Sequence, residues 1–379
     1  MSGRALALCS KSPWAPAIRR EHALARLAAG AGHEVAFLEH PLDLRALRRS
    51  PRDYVGVLAS PRPYAVAERL TAWRRGTLVP GHRDGAAEQL DAAQLARALR
   101  RAADPRAVRV AMLPWQWPAL RPGSARRVFE LADDWRRLIP RRARHLEELH
   151  RRIGAEADEI IVVAPALAEL FPGRSVVVVP NAVGDELLAT PPTPPPGRRR
   201  LVYVGTLSER FDAPLMAAVM ARLNDWTLDL YGPCTYAGSG DRPAPEVTQL
   251  LASTSGRARW HGIVARDRLA DALDSADVLI VPNRDQARGQ DSMKLYDYAA
   301  RARPVAVTTA SLDGAAQTPP HVLAADSADE LADVILAAAA EPEGHAGERR
   351  RWAEQQTWSA RWATWSDALF GADAEALSS

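Results

Sequence analysis

Cysteine is almost absent: Cys9 and Cys234 are the only two in 379 residues. They give neither a disulfide framework nor a metal-ligand spacing, which fits a reducing, cytoplasmic compartment and predicts no metal site. Lysine is equally scarce, with Lys11 and Lys294 alone among 49 basic residues. Long apolar runs are missing, since no stretch approaches the roughly 18 residues of a membrane-spanning helix. The opening "MSGRALALCSKSPW" is apolar for too short a distance before Lys11 and Pro13 to read as a signal peptide. Excess charge is missing too. A formal net charge of +3 does not call for nucleic acid as a partner. Neither G-x-G-x-x-G after the first strand, nor G-x-x-x-x-G-K-[ST], nor G-x-S-x-G occurs. Those absences disfavour nicotinamide or flavin binding, P-loop chemistry and a serine nucleophile elbow.

What is present is an α/β pattern written twice. "RALALC" (4–9) reads as a buried strand, a helical pattern follows to about Ala29, Gly30 and Gly32 stop it, and "EVAFLE" (34–39) is the next strand. Further strand readings are 54–59, 76–80, 108–114, 126–132, 159–164 and 176–181, with a helical pattern over 135–152. Strands this apolar along their whole length are buried on both faces, as in a parallel sheet covered by helices. The proline-rich "TPPTPPPGRRR" (190–200) reads as a stiff, solvated linker. The second half repeats the theme. Strands are read at 201–205, 227–232, 258–262, 277–282, 304–308 and 321–325, and helices at 212–223, 246–253, 266–274, 292–301 and 327–340. A Trp-rich helical pattern, 349–370, closes the chain. The expected organisation is therefore two Rossmann-like doubly wound domains, 1–189 and 201–348, facing a cleft. The linker 190–200 joins them, and the final helix 349–370 crosses back to the first.

The loops of the second half carry the chemistry. "VYVGTLSERFD" ends a strand at Gly205 and places Arg210 before a helix, and "LYGPC" ends the next strand at Gly232. "DVLIVP" leads through "NRDQARGQDS" to a helix whose first turn holds Lys294. Glycines at strand ends let a ligand approach the backbone, and a helix N-terminus offers free N–H groups and a positive dipole end. A cation on that first turn is disfavoured unless something anionic is present. Arg210 and Lys294 together point to a diphosphate.

Several stretches resemble the GT-B glycosyltransferases, specifically the retaining GT4-type group. "KLYDYAARARPVAVT" is similar to the family's "KlyEYlAaGkPVVaT" and is the most specific piece; "VVVVPNAVG" resembles its "PNGVD" ending, and "YVGTLSERFD" its phosphate loop. "WHGIVARDRLADALDSADVLIVP" and "RREHALARLAAGAGHEVAFLEHP" extend the likeness over most of the chain. "FELADDW" resembles the "yDc.Ddw" stretch of bacterial teichuronic-acid or capsule glycosyltransferases. The resemblance implies a sugar transferred from a nucleoside-diphosphate sugar to a cell-envelope glycan or small-molecule acceptor, with retention and with no further cofactor. It implies Lys294 and Arg210 as catalytic cations. Gly205, Thr206, Gly232, Ser292, Met293, Leu295 and Asp297 would complete the donor site, Asp297 standing where the family has a ribose-binding Glu. Trp14, Arg19, His22, Asp133 and Asp134 would serve the acceptor. Two positions depart from the pattern: Gly289 replaces the first acid of the family's E-x7-E, with Asp285 and Asp291 near but out of register, and Thr206 stands where many relatives have Arg.

Plainer readings stand beside these. Asp297 lies four residues before Arg301 and would make an ordinary helix ion pair. Asp133 and Asp134 would favour the start of the helix that follows them. The tryptophans at 352, 358, 362 and 365 would pack the last helix. The basic run 136–152 is a solvated face, or else a peripheral contact with an anionic membrane on the inner face. Among functions, an epimerase or a glycan phosphorylase on the same architecture, and a non-catalytic nucleotide-sugar-binding or scaffold protein, remain open at this point.

Overall fold

Strand β1 (Ala5–Cys9) runs parallel to β2 (Glu34–Leu38) and to β5 (Val108–Ala111), with helix α1 (Arg20–Gly30) as the crossover to β2. The computed structural model describes residues 3–14, 19–44, 46, 50–79, 85–120, 125–235, 243–284 and 290–371. Two compact units divide the chain: Met1–Val179 with Arg361–Ser379, and Pro180–Ala360.

The first unit adds β3 (Arg62–Ala67), β4 (Leu70–Arg74), β6 (Arg127–Leu131), β7 (Glu159–Val162) and β8 (Val177–Val178), in the order β3-β4-β2-β1-β5-β6-β7-β8. Every pair is parallel except β3 with β4. Two expectations fail here. Residues 54–59 are helix, not strand: α2 spans Pro51–Ala59. Pro51 supplies the preset first helical position, and Tyr54 and Val57, three apart, are the buried pair while Val55 is exposed. Of the stretch 76–80, the described residues 76–79 form no strand; Gly76 makes only an isolated bridge to Leu42. The missed pairing is the β3–β4 hairpin. Its turn is built by Arg69 in the left-handed region (φ 60), so no glycine marks it, and its outer strand carries Pro63 on an exposed edge. The stretch 176–181 contributes just two strand residues. Helices α3 (Gly85–Ala102) and α4 (Ala143–Glu156) cover the sheet, α4 through Leu146, Leu149 and Ile153.

The second unit is a six-stranded, wholly parallel sheet: β9 (Arg200–Val204), β10 (Thr227–Tyr231), β11 (Ala258–Gly262), β12 (Val278–Val281), β13 (Val305–Val307) and β14 (Val322–Ala324). Their order is β11-β10-β9-β12-β13-β14. This is the doubly wound order, which reverses direction between β9 and β12. Crossover helices are α5 (Ala213–Arg222), α6 (Pro245–Ser253), α7 (Leu269–Asp274) and α8 (Met293–Ala300), and α9 (Ala328–Ala339) follows the last strand. The terminal Trp-rich pattern is two helices, α10 (His345–Glu354) and α11 (Trp358–Phe370), separated where Val183 N–H donates to the Gln356 carbonyl at 2.7 Å. From Arg361 onward α11 groups with the first unit, where Trp365 is fully buried beneath the Arg20 guanidinium (4.7 Å to the ring centroid).

The break between units falls at Val179/Pro180, ahead of the proline-rich segment. That segment is exposed but held. Arg301 donates to the carbonyls of Leu187, Thr190 and Pro191 at 2.8–3.0 Å, and Arg303 to Thr193 Oγ1 at 3.2 Å. Asp277 accepts the N–H groups of Gly197, Arg198 and Arg200. Prolines offer no N–H, so the segment's carbonyls find partners elsewhere, and the two buried guanidiniums supply several of them.

Candidate functional site

Ligands in open α/β sheets sit beyond the carboxyl ends of the strands where the order reverses. In the second unit that point lies between the loop after β9 and the loop after β12. A cavity of about 180 Å³ opens there, lined by Tyr203, Thr206, Ser208, Arg210, Asn283, Gln290, Asp291, Ser292, Met293, Lys294 and Ser311. Five of the residues predicted for the donor, Thr206, Arg210, Ser292, Met293 and Lys294, therefore converge on one space.

Local chemistry explains the convergence. Gly205 and Gly232 end β9 and β10 back to back. Gly232 has φ 130, and a methyl group on it would stand 2.0 Å from the Gly205 carbonyl oxygen. A methyl group on Gly205 would stand 2.2 Å from Lys294 Cε. Glycine at 205 is what lets the lysine lie across the end of β9. There Nζ faces the Tyr203 ring, 5.5 Å from its centroid, and among the described residues it makes no hydrogen bond or ion pair. The loop after β9 is shaped by Tyr203, whose hydroxyl donates to the Thr206 carbonyl at 3.0 Å, and by Arg284 N–H donating to the Arg210 carbonyl at 2.8 Å. Arg210 Nη1 donates to Gln290 Oε1 at 2.5 Å. On the far wall Ser311 Oγ donates to the Val281 carbonyl at 2.6 Å, and Thr308 Oγ1 to that of Asn283 at 2.6 Å.

Burial and then the Arg210 charge lower the Lys294 pKa to about 8, against the pull of Asp297. A lysine whose proton is loosened by burial and a neighbouring guanidinium marks a place where negative charge is favourable. Ser292, just before α8, uses no side-chain oxygen to cap it, so the first-turn N–H groups face the cavity end of the helix.

Asp297 lies one turn along α8 from Lys294. It does not pair with Arg301, which is bidentate with Asp274 (2.9 and 2.5 Å). Asp297 instead faces Gly184, whose N–H it accepts, with Glu186 and Arg266 beside it as an ion pair. Burial and then Glu186 raise its pKa to about 7, against Arg266, Lys294 and the Gly184 N–H. Leu295, predicted at the donor site, turns its side chain into the core, fully buried; its N–H is spent on the Ser292 carbonyl. Gly205, Gly232, Leu295 and Asp297 thus do not line the cavity.

Asp291 cannot replace the missing acid of E-x7-E as a free carboxylate. It is buried and accepts the Asn181 N–H at 2.7 Å, the Tyr296 hydroxyl at 3.0 Å and the Ala316 N–H at 3.4 Å, while its carbonyl accepts Asn181 Nδ2 at 2.7 Å. It fastens the start of α8. Gly289 and Asp285 lie outside the described residues. Tyr203, Ser208, Asn283, Gln290 and Ser311 were missed by sequence reasoning. Tyr203 and Ser208 sit in the quoted phosphate loop and were within its reach. Ser311 arrives from after β13 with no local signal.

The first-unit candidates separate. His22 is buried, accepts the Arg19 N–H at Nδ1 (2.9 Å) and donates from Nε2 to the Pro13 carbonyl (3.0 Å), so both ring nitrogens are engaged and α1 is capped. Burial lowers its pKa. Asp134 caps the turn Trp135–Leu138 by accepting from Arg136 N–H and guanidinium at 2.9–3.0 Å, as the plainer reading held. Asp133 pairs with Lys11 at 3.3 Å. Trp14 packs edge-on to His22 and Phe37 and borders a separate cavity of about 1130 Å³ with Glu39, Tyr64 and Arg74. The basic run 136–152 is largely committed inside the unit: Arg136 to Asp134, Arg142 to Glu88, Arg152 to Glu156. Among the described residues no cluster of His, Cys, Asp or Glu could hold a metal, and no helix is long and apolar enough to cross a membrane.

Comparison with known proteins decides the family of the second unit. Residues 198–341 match the family model described as glycosyl transferases group 1. The chain carries a glycosyltransferase domain. Every cavity-lining residue falls inside the matched range. No curated protein matches the sequence. Among solved structures, sucrose-phosphate synthase from Thermosynechococcus elongatus is similar over 96% of this chain and 98% of its own, with a TM-score of 0.77 at 16% identity. Anabaena HepE in complex with UDP and glucose is similar over 97% and 99%, with a TM-score of 0.67 at 15% identity. A glycosyltransferase from Rickettsia africae is similar over 98% and 100%, with a TM-score of 0.66 at 12% identity. The architecture of this glycosyltransferase is accordingly GT-B, α/β with two Rossmann-like units.

Proposed function

We propose that this glycosyltransferase transfers a sugar from a nucleoside-diphosphate sugar bound at the Lys294 cavity. The acceptor is a cell-envelope glycan or a small molecule held by the first unit. The observation that carries this reading is one arrangement: Lys294, Arg210 and the N-terminus of α8 converge on a cavity at the switch point of the sheet. The HepE structure contains UDP and glucose on the same fold, which supports a nucleotide donor here.

The chemistry follows from charge. Breaking the bond between the anomeric carbon and the β-phosphate oxygen moves an electron pair onto the phosphate. Lys294, Arg210 and the helix N–H groups stand ready for that charge without reorganising. These cations can do the work of a divalent ion, so neither metal nor further cofactor is part of the reading. Asp297, one helical turn on and outside the cavity lining, would accept from the ribose hydroxyls of a nucleoside reaching past the phosphates. The GT4-type likeness supports retention, with the acceptor hydroxyl attacking from the leaving-group face. Two buried cysteines without a disulfide support a cytoplasmic setting, and the likeness to capsule-type enzymes a bacterial one. Membrane contact through 136–152 keeps little support, since its arginines are mostly paired within the unit.

The test is product analysis. The protein is incubated with a panel of nucleoside-diphosphate sugars, with and without acceptor glycans, and free nucleoside diphosphate and the anomer formed are read by NMR. Release that depends on acceptor, with the anomeric configuration kept, is the expected result. Altered nucleotide sugar without acceptor would mark an epimerase, dependence on phosphate a phosphorylase, and binding without turnover a scaffold. Lys294→Ala is expected to lower kcat by about 10²–10³, the scale of one lost oxyanion donor.

A further inference from the structure

The first unit holds a second built cavity, of about 490 Å³, between α4 and the segment 169–174. Its volume lies in the range of about 300–1,000 Å³ usual for small-molecule pockets. His150 lines it, 98% buried, and among the described residues neither ring nitrogen has a hydrogen-bond partner. The groups around the imidazole do not supply one. Phe129 and Phe171 present rings at 6.5 and 5.5 Å between centroids, and Asp134 and Arg136 act on it only through their charge. Buried polar groups without a partner are uncommon and need a reason. Burial and then Arg136 lower the His150 pKa to about 4, so near neutral pH the ring offers one N–H donor and one lone pair.

The rim adds charge. Arg136 is spent on Asp134 (2.9 Å), but Arg174 donates only to the neutral Ala157 carbonyl (2.8 Å), and Arg151 has no carboxylate in reach among the described residues. Glu147, 3.8 Å from Arg136, and Glu169 contribute two negative charges to the same rim, which favours a single anionic group over a polyphosphate. We propose that this cavity binds a ring-sized small molecule bearing one phosphate or carboxylate. The body would rest on Phe171 and Leu170 and exchange a hydrogen bond with His150, and Arg151 and Arg174 would hold the anion. The site is separate from the Lys294 cavity and does not depend on the donor reading.

The experiment uses full-length protein with histidines labelled at Cε1, and His150 assigned by its loss in His150→Phe. That variant places an apolar ring among Phe129 and Phe171 and is expected to fold. The probes are benzyl phosphate, glucose 6-phosphate and inorganic phosphate, each raised to about 10 mM, tenfold above a Kd of about 1 mM. A saturable shift of the His150 signal with benzyl phosphate or glucose 6-phosphate is expected. It should persist in Lys294→Ala and weaken at least about tenfold in the Arg151→Ala/Arg174→Ala double variant. No shift with either ring-bearing probe overturns the proposal. So does an equal response to inorganic phosphate alone, and so does a shift that ignores the two arginines.

Discussion

The two sheets end differently where their strand order reverses. In the first unit the loops after β1 and β5 are tied to each other by a buried side chain. Gln116, 1% exposed, accepts the N–H groups of Met112 and Leu113 at Oε1 and donates from Nε2 to the Ser10 carbonyl, all at 3.0 Å. Lys11, in the loop after β1, is paired with Asp133. In the second unit the equivalent point is open, and Lys294 has no such partner among the described residues. The chain's two lysines thus mark a finished site and an unfinished one. A cation paired within the chain stabilises the fold, whereas one held in place without an ion pair is placed for a ligand.

The sharpest way to break this contrast is Gly205→Ala. The added methyl group would occupy the position of Lys294 Cε, 2.2 Å away, and must push the lysine off the end of β9. Nucleoside diphosphate affinity, measured by calorimetry, is expected to fall at least about tenfold, or about 1.4 kcal/mol. The fold should survive, since the lysine end is flexible. Next in size is Gln116→Ala, which strands two N–H groups and a carbonyl in the buried first switch point. Each unsatisfied group costs about 1–3 kcal/mol, so the melting temperature should drop while nucleotide binding per folded molecule is kept. A loss of nucleotide affinity there would show that the two ends are not separate in function.

Smaller, but informative in sign, is the pH dependence. Asp297, raised to about 7, loses its proton in the folded state well above the ordinary carboxylate range. Folding stability contributed by this group is therefore greatest at low pH and falls as pH rises toward 7. Asp297→Asn should be more stable than the parent at pH 8, with the gap closing near pH 4, while binding the nucleoside diphosphate more weakly. For the parent enzyme kcat/KM reports the free protein. It should rise through about pH 7 as Asp297 ionises and fall through about pH 8 as Lys294 loses its proton. A profile flat across that window would remove both groups from donor binding.

The same contrast explains what could be read from the sequence. All six strands of the second unit were legible, because a wholly parallel sheet is written as short apolar runs, four of them here ended by Gly or Pro. The lysine and the strand-end glycines were legible because each is an exception: one cation of a rare type, and backbone positions that tolerate no side chain. Residues 54–59 failed, since an apolar run of that length suits either element and only Pro51 argued for helix. The hairpin turn at Arg69 failed because a non-glycine residue adopts the left-handed region there. The roles of Arg301, Asp291 and Gln116 were out of reach. Each is a buried polar hub whose partners lie far off in sequence, and His22 likewise became a cap through contacts that spacing alone does not show, whereas the place of Asp134 at a helix start was legible.

Lys294 awaits a diphosphate, and Lys11 does not. Thermal unfolding of the parent, Lys294→Ala and Lys11→Ala, each with and without a panel of nucleoside diphosphates, tests it most directly. At about 100 times its Kd the matching nucleotide should stabilise the parent by about 2.7 kcal/mol. Lys11→Ala should cost about 0–1 kcal/mol as a partly exposed ion pair and keep the full stabilisation by nucleotide. Lys294→Ala should lose most of that stabilisation. Equal stabilisation of the parent and Lys294→Ala would contradict the account.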